Sequence, residues 1–478
     1  MEKEKNKRSF FTSVKEKTVL FFKDKKKKIV NFFKTLPART KAKFAGAKEI
    51  LTQGNGKVCA SMCVMGLGQL MYKQWAKGIL YLLVQAAFLA YFVLKGAGDF
   101  IGFFTLGVKE GNAWYGEQGD NSVIMLLMGI LSVIAIIFYA VIYIANVKDA
   151  YRIQCAADTL KPTPSFKKEL TSLLNKNFHK TALALPIVGV CVFSILPIIF
   201  MIAIAFTNYG GEVVPPALID WVGFENFGKI LTLGQFAPTF FKIFGWNILW
   251  AVLSTFINYF AGLGLALLLS KKCVKGKTFW RLFPILAYAV PGFITLIAFK
   301  FMFSYGGPIN QIITGAGGTA VGFLDIDAKW TARLIGLSVN AWLNIPSGML
   351  LATGILSNVN SDLYEAARVD GASSWKQFVR ITLPYVLFAT MPVLISQFIA
   401  NFNNFGIFYF LRGGLYMDGY FLASDTDLLI NWLYNMSIDN NYYSIGAAIS
   451  IIIFIVTSII SLAVYVMSPS YKQEETYQ

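Results

Sequence analysis

The sequence predicts an all-α polytopic membrane protein, and three observations support this fold class. The 478 residues are 56% hydrophobic and only 14% charged, whereas soluble domains carry about 25% charged residues. Eight stretches approach or exceed the roughly 20 apolar residues that cross a bilayer. Basic residues concentrate in alternate loops, as they do in multi-pass proteins. The predicted spans are 77–96, 122–146, 182–207, 244–270, 280–303, 334–357, 384–410 and 444–467.

The N-terminal tail is the most basic part of the chain. Residues 1–57 contain 17 Lys and Arg against 5 Asp and Glu, with no cleavable signal peptide evident. Between Phe10 and Phe33, aromatic and valine side chains interleave with lysines. This pattern suits an amphipathic helix on anionic membrane lipid or a solvated tail, and we expect no nucleic-acid partner.

The distribution of spans predicts four regions. They are the cytoplasmic tail 1–57, an accessory membrane segment 58–181 with two spans, a core 182–470 with six spans, and a short cytoplasmic tail 471–478. Within the accessory segment, the apolar run 58–70 is too short to span a bilayer. It is expected to be interfacial or re-entrant.

The loop charges predict the orientation. The loops after spans two, four and six are rich in Lys and Arg, whereas 97–121 holds only Lys109 and 411–443 only Arg412. Because basic loops stay in the cytoplasm, both termini are expected there.

Several classes of chemistry have no residues to support them. The predicted spans contain no Asp or Glu, which disfavours proton coupling and leaves sodium coupling through backbone carbonyls open. The five cysteines lack metal-ligand spacing, and the single histidine is His179. Gly276, Lys277 and Thr278 resemble the end of a P-loop, but Lys271 stands where that loop needs glycine. We therefore expect no metal site, no catalytic residue and no nucleotide site in this chain.

Polar side chains inside the spans concentrate in span seven. Gln397, Asn401 and Asn404 recur at i, i+4 and i+7, which predicts one helical stripe. Uncharged amides donate and accept hydrogen bonds, so the stripe suits a water-filled sugar path, and interhelical bonding is the alternative. In span six, Asn344 beside Pro346 predicts either an unwound turn open to substrate or a packing kink.

A short polar segment lies between spans six and seven. It contains Glu365, Ala366, Ala367, Asp370 and Gly371, a pattern that predicts one helical turn broken by glycine. The sequence Ile381-Thr382-Leu383-Pro384 follows, and its proline is expected to open the next helix. This pattern resembles the coupling loop of ABC importer permeases, here 358–383.

The resemblance extends over about residues 182–470 and is strongest to the maltose-type permease subunit. The matching segments are Tyr288 to Phe293, Trp342-Leu343 with Pro346, Asn401 to Phe405, and Thr426 to Leu429. It implies the type I importer permease fold in a prokaryotic cell membrane.

The same resemblance implies partners and sugar contacts. The partners are a homologous second permease subunit, two cytoplasmic ATPases that bind ATP and Mg, and an extracytoplasmic sugar-binding protein. The chain itself would be no enzyme and would hold no cofactor. Coupling falls to the residues of the 365–371 segment. The implied sugar contacts are Leu343, Asn344, Gln397, Ala400, Asn401 and Asn404.

Three positions depart from the family archetype. Asn344 replaces glycine, Ser347 replaces tyrosine and Ala400 replaces phenylalanine, so aromatic stacking on a sugar is reduced. The loop from Asn208 to Ile243 is also too short for the archetype's folded insertion. We expect an importer subunit for maltose or maltodextrin. The alternatives are another oligosaccharide, such as a galacto-oligosaccharide, and a self-contained secondary carrier.

Overall fold

The computed structural model describes residues 49–111, 119–159, 166–271 and 273–467. Among these residues, seven helices are long and apolar enough to cross a membrane, and a pair of helices bent by 90° adds an eighth span if the two cross together. The all-α fold class with about eight spans is therefore confirmed. The predictions for the tail segment from Phe10 to Phe33 and for 471–478 fall outside the described residues.

The first of two compact units comprises Met1–Phe104 and Leu127–Ile195. Most of the long helix α5 belongs to this unit. Its helices are α1 (Gly56–Cys63), α2 (Leu67–Met71), α3 (Trp75–Tyr91), α4 (Ala97–Thr105), α5 (Ser122–Asp158), α6 (Phe166–Leu174) and α7 (Phe178–Val190).

The apolar run 58–70 forms two short helices, α1 and α2, and neither is long enough to cross a bilayer. Gly66 turns the chain between them with a φ of 86°, a conformation that favours glycine. The side chain of Asn146 accepts a hydrogen bond from the Gly66 N–H at 3.0 Å and donates to the Ser61 carbonyl at 3.0 Å. Polar bonds to α5 thus satisfy the backbone where the short helices meet.

The second compact unit comprises Thr105–Leu126 and Leu196–Gln478. It holds the last part of span three, spans four to eight and the segment between spans six and seven. Its helices are α8 (Leu196–Ala205), α9 (Glu225–Thr232), α10 (Ala237–Ser270), α11 (Lys277–Ala289), α12 (Gly292–Met302), α13 (Pro308–Gly315), α14 (Lys329–Leu356), α15 (Ser361–Val369), α16 (Ser374–Gln377), α17 (Leu383–Phe402), α18 (Gly406–Arg412), α19 (Leu429–Tyr434) and α20 (Tyr443–Met467).

The centre of this unit is the packing of α10 along α14. A Cβ built on Gly262 would come within 2.9 Å of the Gly348 carbonyl carbon, so the two backbones touch because neither residue has a side chain. One apolar cluster, including Trp250, Val339 and Phe408, fills one part of this unit. A second, which includes Tyr259, lies along the same pair of helices.

The prolines act differently from one another. Pro291 lies at the 90° break between α11 and α12, as expected for a residue that lacks an N–H. The unwound turn beside Pro346 was a wrong alternative, because α14 is continuous there and the Ser347 hydroxyl donates to the Asn344 carbonyl at 2.8 Å. Pro384 lies in the first turn of α17, as expected, but the span itself begins at Ser374 and passes through a π-helical turn before this proline.

A buried arginine joins two loops of this unit. The Arg412 guanidinium forms an ion pair with Asp425 at 2.7 Å and donates to the Thr426 hydroxyl at 3.0 Å. It also donates to the backbone carbonyls of Leu324 and Asp325 at 3.1 and 2.7 Å. The loops 316–328 and 413–428 are therefore held together by a charge with several partners.

Candidate functional site: an amide cluster and an exposed helical loop

Four asparagines of α14 and of the segment that ends α17 form a connected group, here called the amide cluster. Asn340 lies at its centre. Its Oδ1 accepts hydrogen bonds from Asn344 Nδ2 at 3.0 Å and from Asn404 Nδ2 at 3.2 Å. Its Nδ2 approaches Asn401 Oδ1 at 3.4 Å. The amide cluster therefore joins spans six and seven through side chains alone.

Asn401 is the most constrained of the predicted sugar contacts. Its side chain donates from Nδ2 to the Thr255 hydroxyl of α10 at 3.0 Å, and the residue is 6% exposed. Its backbone carbonyl accepts from the Trp250 indole N–H at 3.1 Å. In this conformation the Asn401 amide is engaged by α10 and α14, and Asn344 and Asn404 are the half-buried members of the amide cluster.

The other predicted sugar contacts differ in their packing and in their exposure. Leu343 packs against the apolar cluster that contains Trp250 and Phe408. Ala400 is exposed, and Gln397 is half-buried. The Gln397 Oε1 is inaccessible and finds no hydrogen-bond partner among the described residues. Gln397 therefore has an amide oxygen that no part of the described protein satisfies.

The predicted helical stripe is correct for Gln397 and Asn401 but not for Asn404. Helix α17 ends at Phe402, and residues 403–405 are not helical before α18 starts. Because the chain leaves the helix there, Asn404 is placed by the break and not by helical periodicity. Its Oδ1 accepts from the Ile407 N–H at 3.3 Å, which is the first turn of α18.

Sequence reasoning missed Asn340, although a signal was present. Asn340 and Asn344 lie four residues apart, so they share a face of α14. Only Asn344 attracted notice, because it lies beside Pro346. Thr255 offered no periodic signal, since a lone hydroxyl in a span usually bonds its own helix.

The predicted coupling segment is a helix followed by a glycine turn. Asn360 caps α15 by accepting from the Asp362 N–H at 3.0 Å. At the other end Gly371 has a φ of 73°, and the Ala372 N–H donates to the Ala367 carbonyl at 2.9 Å. This bonding is a Schellman motif, in which a left-handed glycine ends the helix. The helical turn and glycine break predicted from sequence are confirmed.

The coupling segment presents its surface outward. Glu365, Ala366, Asp370 and Gly371 are exposed, and Ala367 is half-buried. Large apolar side chains are exposed beside them: Val369 is 88% exposed, and Trp375 at the start of α16 is 72% exposed. Apolar groups displayed together with charges on a polar loop are typical of a docking surface.

Comparison with known proteins connects these features. Residues 258–473 match the family described as the inner membrane component of binding-protein-dependent transport systems. The galactooligosaccharides transport system permease protein GanP of Bacillus subtilis is 35% identical over 86% of this chain and 97% of its own length. The maltodextrin transport system permease protein MalC of Streptococcus pneumoniae is 34% identical over 88% of this chain and 98% of its own length.

Two further proteins match a smaller share of this chain. The maltose/maltodextrin transport system permease protein MalF of Escherichia coli is 32% identical over 53% of this chain and 50% of its own length. A solved bacterial ABC transporter that imports alginate has a chain of the same fold, with a TM-score of 0.52 at 22% identity over 63% of this chain and 98% of that one. With near full-length relatives above 30% identity, the chain belongs to the family of inner membrane components of binding-protein-dependent transport systems, the ABC importer permeases.

Proposed function

We propose that this chain is the membrane-spanning permease subunit of an ATP-driven importer of maltodextrin-type oligosaccharides. The amide cluster is the observation that carries the proposal, together with the maltodextrin permease MalC as a near full-length relative. The cluster places uncharged donors and acceptors inside a bundle whose predicted spans contain no Asp or Glu. A sugar hydroxyl both donates and accepts hydrogen bonds, and an uncharged amide can meet both needs.

Within this proposal the members of the amide cluster have different roles. Asn344 and Asn404 are half-buried and bonded to each other only through Asn340, so they can turn toward a passing sugar. Gln397 has an amide oxygen without a partner among the described residues, and its side chain has to turn before that oxygen can meet a sugar. Asn401 holds α10, α14 and α17 together and positions the others. Leu343 and Ala400 shape the apolar wall.

The test is sugar uptake measured beside the yield of the assembled transporter. Losing one hydrogen bond to an uncharged partner costs about 0.5–1.5 kcal/mol, which corresponds to a several-fold loss of uptake at low sugar concentration. Asn404→Ala and Asn344→Ala should show this loss with unchanged yield. Asn175→Ala, at an exposed asparagine between α6 and α7, is the matched control. If yield falls in step with uptake, the amides are interhelical bonds and the substrate assignment fails.

Galacto-oligosaccharides are a second candidate substrate, and a specific observation favours them. GanP, a galactooligosaccharide permease, matches this chain as closely as the maltodextrin relatives do. The position of Ala400, where the maltose archetype carries an aromatic residue, also reduces stacking on a glucose ring. Competition of labelled maltotriose uptake by unlabelled galacto-oligosaccharide and by unlabelled maltodextrin separates the two.

The coupling segment supports partners on the cytoplasmic side. We assign the basic loops to the cytoplasm, with both termini there. The exposed Glu365 carboxylate and the apolar surface of Val369 and Trp375 then offer a docking site to an ATPase that binds ATP and Mg. A second permease subunit and an extracytoplasmic sugar-binding protein complete the proposed assembly.

Two substitutions test this docking role. Gly371→Pro forbids the left-handed turn, and Glu365→Lys inverts the charge, so each should uncouple or release the ATPase while the spans still insert. Pull-down of the ATPase and sugar-stimulated ATP hydrolysis are the readouts. Normal coupling and assembly in both variants would contradict the assignment.

A further inference from the structure

A cavity of about 670 Å³ lies where the end of α10 meets the start of α11. Leu265, Leu268, Phe283 and Pro284 give it an apolar wall, and Trp280 and Lys275 also line it. The connection between the two helices contributes Cys273, Val274 and Lys275 to the lining. This cavity therefore combines an apolar interior with a cationic edge.

Lys275, Lys277 and Arg281, the cations around the cavity, form no ion pair with a described residue. The segment 271–281 contains five Lys and Arg, and no Asp or Glu occurs anywhere from 226 to 324. Lys277 donates to the Ser270 carbonyl at 2.8 Å, which satisfies one of its three donors. Arg281 Nε is inaccessible and has no hydrogen-bond partner within the described ranges. A buried donor without a partner is costly, so a turn of the Arg281 side chain that brings its guanidinium to an acceptor in the cavity is favoured.

These donors share one side of α11 with the cavity wall. Lys277, Trp280, Arg281 and Pro284 stand at i, i+3, i+4 and i+7, which places them on one helix face. Trp280 lies in the first turn of α11 and is 52% exposed. Tryptophan is enriched at membrane–water interfaces, and an exposed ring at this position suits such an interface. The face therefore presents, in order along the helix, a cation, an aromatic ring, a second cation and an apolar wall.

We propose that this cavity is a binding site for an anionic phospholipid of the cytoplasmic leaflet. The acyl chain lies against Leu268 and Phe283, and the phosphate accepts hydrogen bonds from Lys275 and Arg281. A zwitterionic lipid gains the same apolar contacts but less from the cations, since its headgroup has no net charge. The placement in the cytoplasmic leaflet rests on the orientation proposed above, whereas the preference for an anionic lipid rests on the cavity itself.

The test uses the full chain in detergent micelles and phospholipids with brominated acyl chains, which quench nearby tryptophan fluorescence. The Trp280 signal is the difference between the unaltered chain and Trp280→Phe. Each basic residue near an anionic group contributes about a fivefold preference, so two give about 25-fold. We expect half-quenching by phosphatidylglycerol at about 25-fold lower concentration than by phosphatidylcholine.

Variants assign the preference to the named residues. Lys275→Gln with Arg281→Gln should bring the two lipids to equal quenching, and Lys275→Arg with Arg281→Lys should keep most of the difference. Lys242→Gln, which changes a cation that bonds the Gly419 carbonyl in another part of the unit, is the matched control. Equal quenching by both lipids in the unaltered chain, or an unchanged preference in the glutamine variant, overturns the proposal.

Cys273 lines the cavity and is exposed. Its chemical labelling therefore gives an independent measurement of the side of the membrane on which the cavity lies. In a chain whose other four cysteines are replaced by serine, a membrane-impermeant maleimide should label Cys273 only after cells are permeabilised. Labelling in intact cells would overturn the leaflet assignment and the proposed orientation, and the lipid preference would still be decided by quenching.

Discussion

At the scale of single residues, Asn340 organises the proposed substrate path without having been prominent in the sequence. One carbonyl oxygen, Asn340 Oδ1, accepts from both Asn344 and Asn404, and the residue has no exposed surface. Buried amide networks are specific because each unsatisfied member is costly. Asn340 is therefore a positioning residue, and its substitution should disturb several neighbours together.

We predict that Asn340→Ala lowers stability by about 1–3 kcal/mol, because it leaves buried amide groups of the amide cluster unpaired. Asn340→Asp keeps the shared acceptor and should retain more of the stability at a pH where the carboxyl is protonated. Thermal unfolding of the detergent-solubilised chain measures both, with Asn358→Ala as the exposed control. Equal melting temperatures for Asn340→Ala and the control would show that the cluster is not structurally coupled.

Asp427 lies outside the membrane spans, and its carboxyl group makes the stability of the folded chain depend on pH. Burial raises the pKa of its carboxyl from 3.8 to about 6, and the Ser424 N–H, which donates at 2.8 Å, opposes that rise. The folded chain therefore holds this proton more tightly than the unfolded chain does. The stability that Asp427 contributes is complete below about pH 4 and is lost as pH rises through about 6.

We predict that Asp427→Asn removes this loss and stabilises the chain by about 2 kcal/mol more at pH 7.5 than at pH 4.5. The asparagine Oδ1 can still accept from Ser424. Melting temperatures at the two pH values measure the effect, and Asp418→Asn, at an exposed site of the same loop, is the control. A difference between parent and Asp427→Asn that does not change with pH would refute the raised pKa.

At the scale of helices, the contact of α10 with α14 depends on two glycines. A methyl group on Gly262 would meet the backbone of Gly348 at 2.9 Å, and backbone cannot move aside as a side chain can. Gly264, two residues on, has nothing within 4 Å of its built Cβ. The same substitution at these two positions therefore separates crowding from helix propensity.

We predict that Gly262→Ala destabilises the chain by about 1–3 kcal/mol through overpacking. Gly264→Ala should be neutral or stabilising by up to about 1 kcal/mol, because alanine favours helix over glycine. Thermal unfolding of both variants under identical detergent conditions provides the comparison. Similar shifts at both sites would mean that α10 and α14 can separate without cost.

At the scale of the whole molecule, the chain has the spans of a membrane permease, and its sequence lacks a complete P-loop motif. The predicted coupling segment is exposed, with Val369 and Trp375 uncovered. In the function proposed above, energy from ATP enters through another polypeptide.

We predict that the purified chain alone does not hydrolyse ATP, since the P-loop glycine is replaced by Lys271. Hydrolysis should appear only when an ATPase subunit is co-expressed and co-purified. Phosphate release from the isolated chain, compared with the reconstituted complex, is the measurement. Turnover by a verified pure single chain would refute the subunit assignment.

The amino-acid sequence by itself determined the membrane class, the eight spans and the coupling turn. These features depend on local properties. The spans follow from the length of the apolar runs, and the coupling turn follows from Gly371, which has a left-handed φ. The break at Pro291 does not follow from the proline alone, because α14 continues through Pro346.

Tertiary structure alone decided how the amides are used. Helical spacing placed Asn404 on a stripe, but the helix ends at Phe402, and Asn404 meets Asn340 across two spans. Thr255 and Asn401 lie 146 residues apart in sequence and bond directly. Such pairings depend on which helix faces meet, and that is set by the close packing of α10 and α14 around their glycines, which no local pattern specifies.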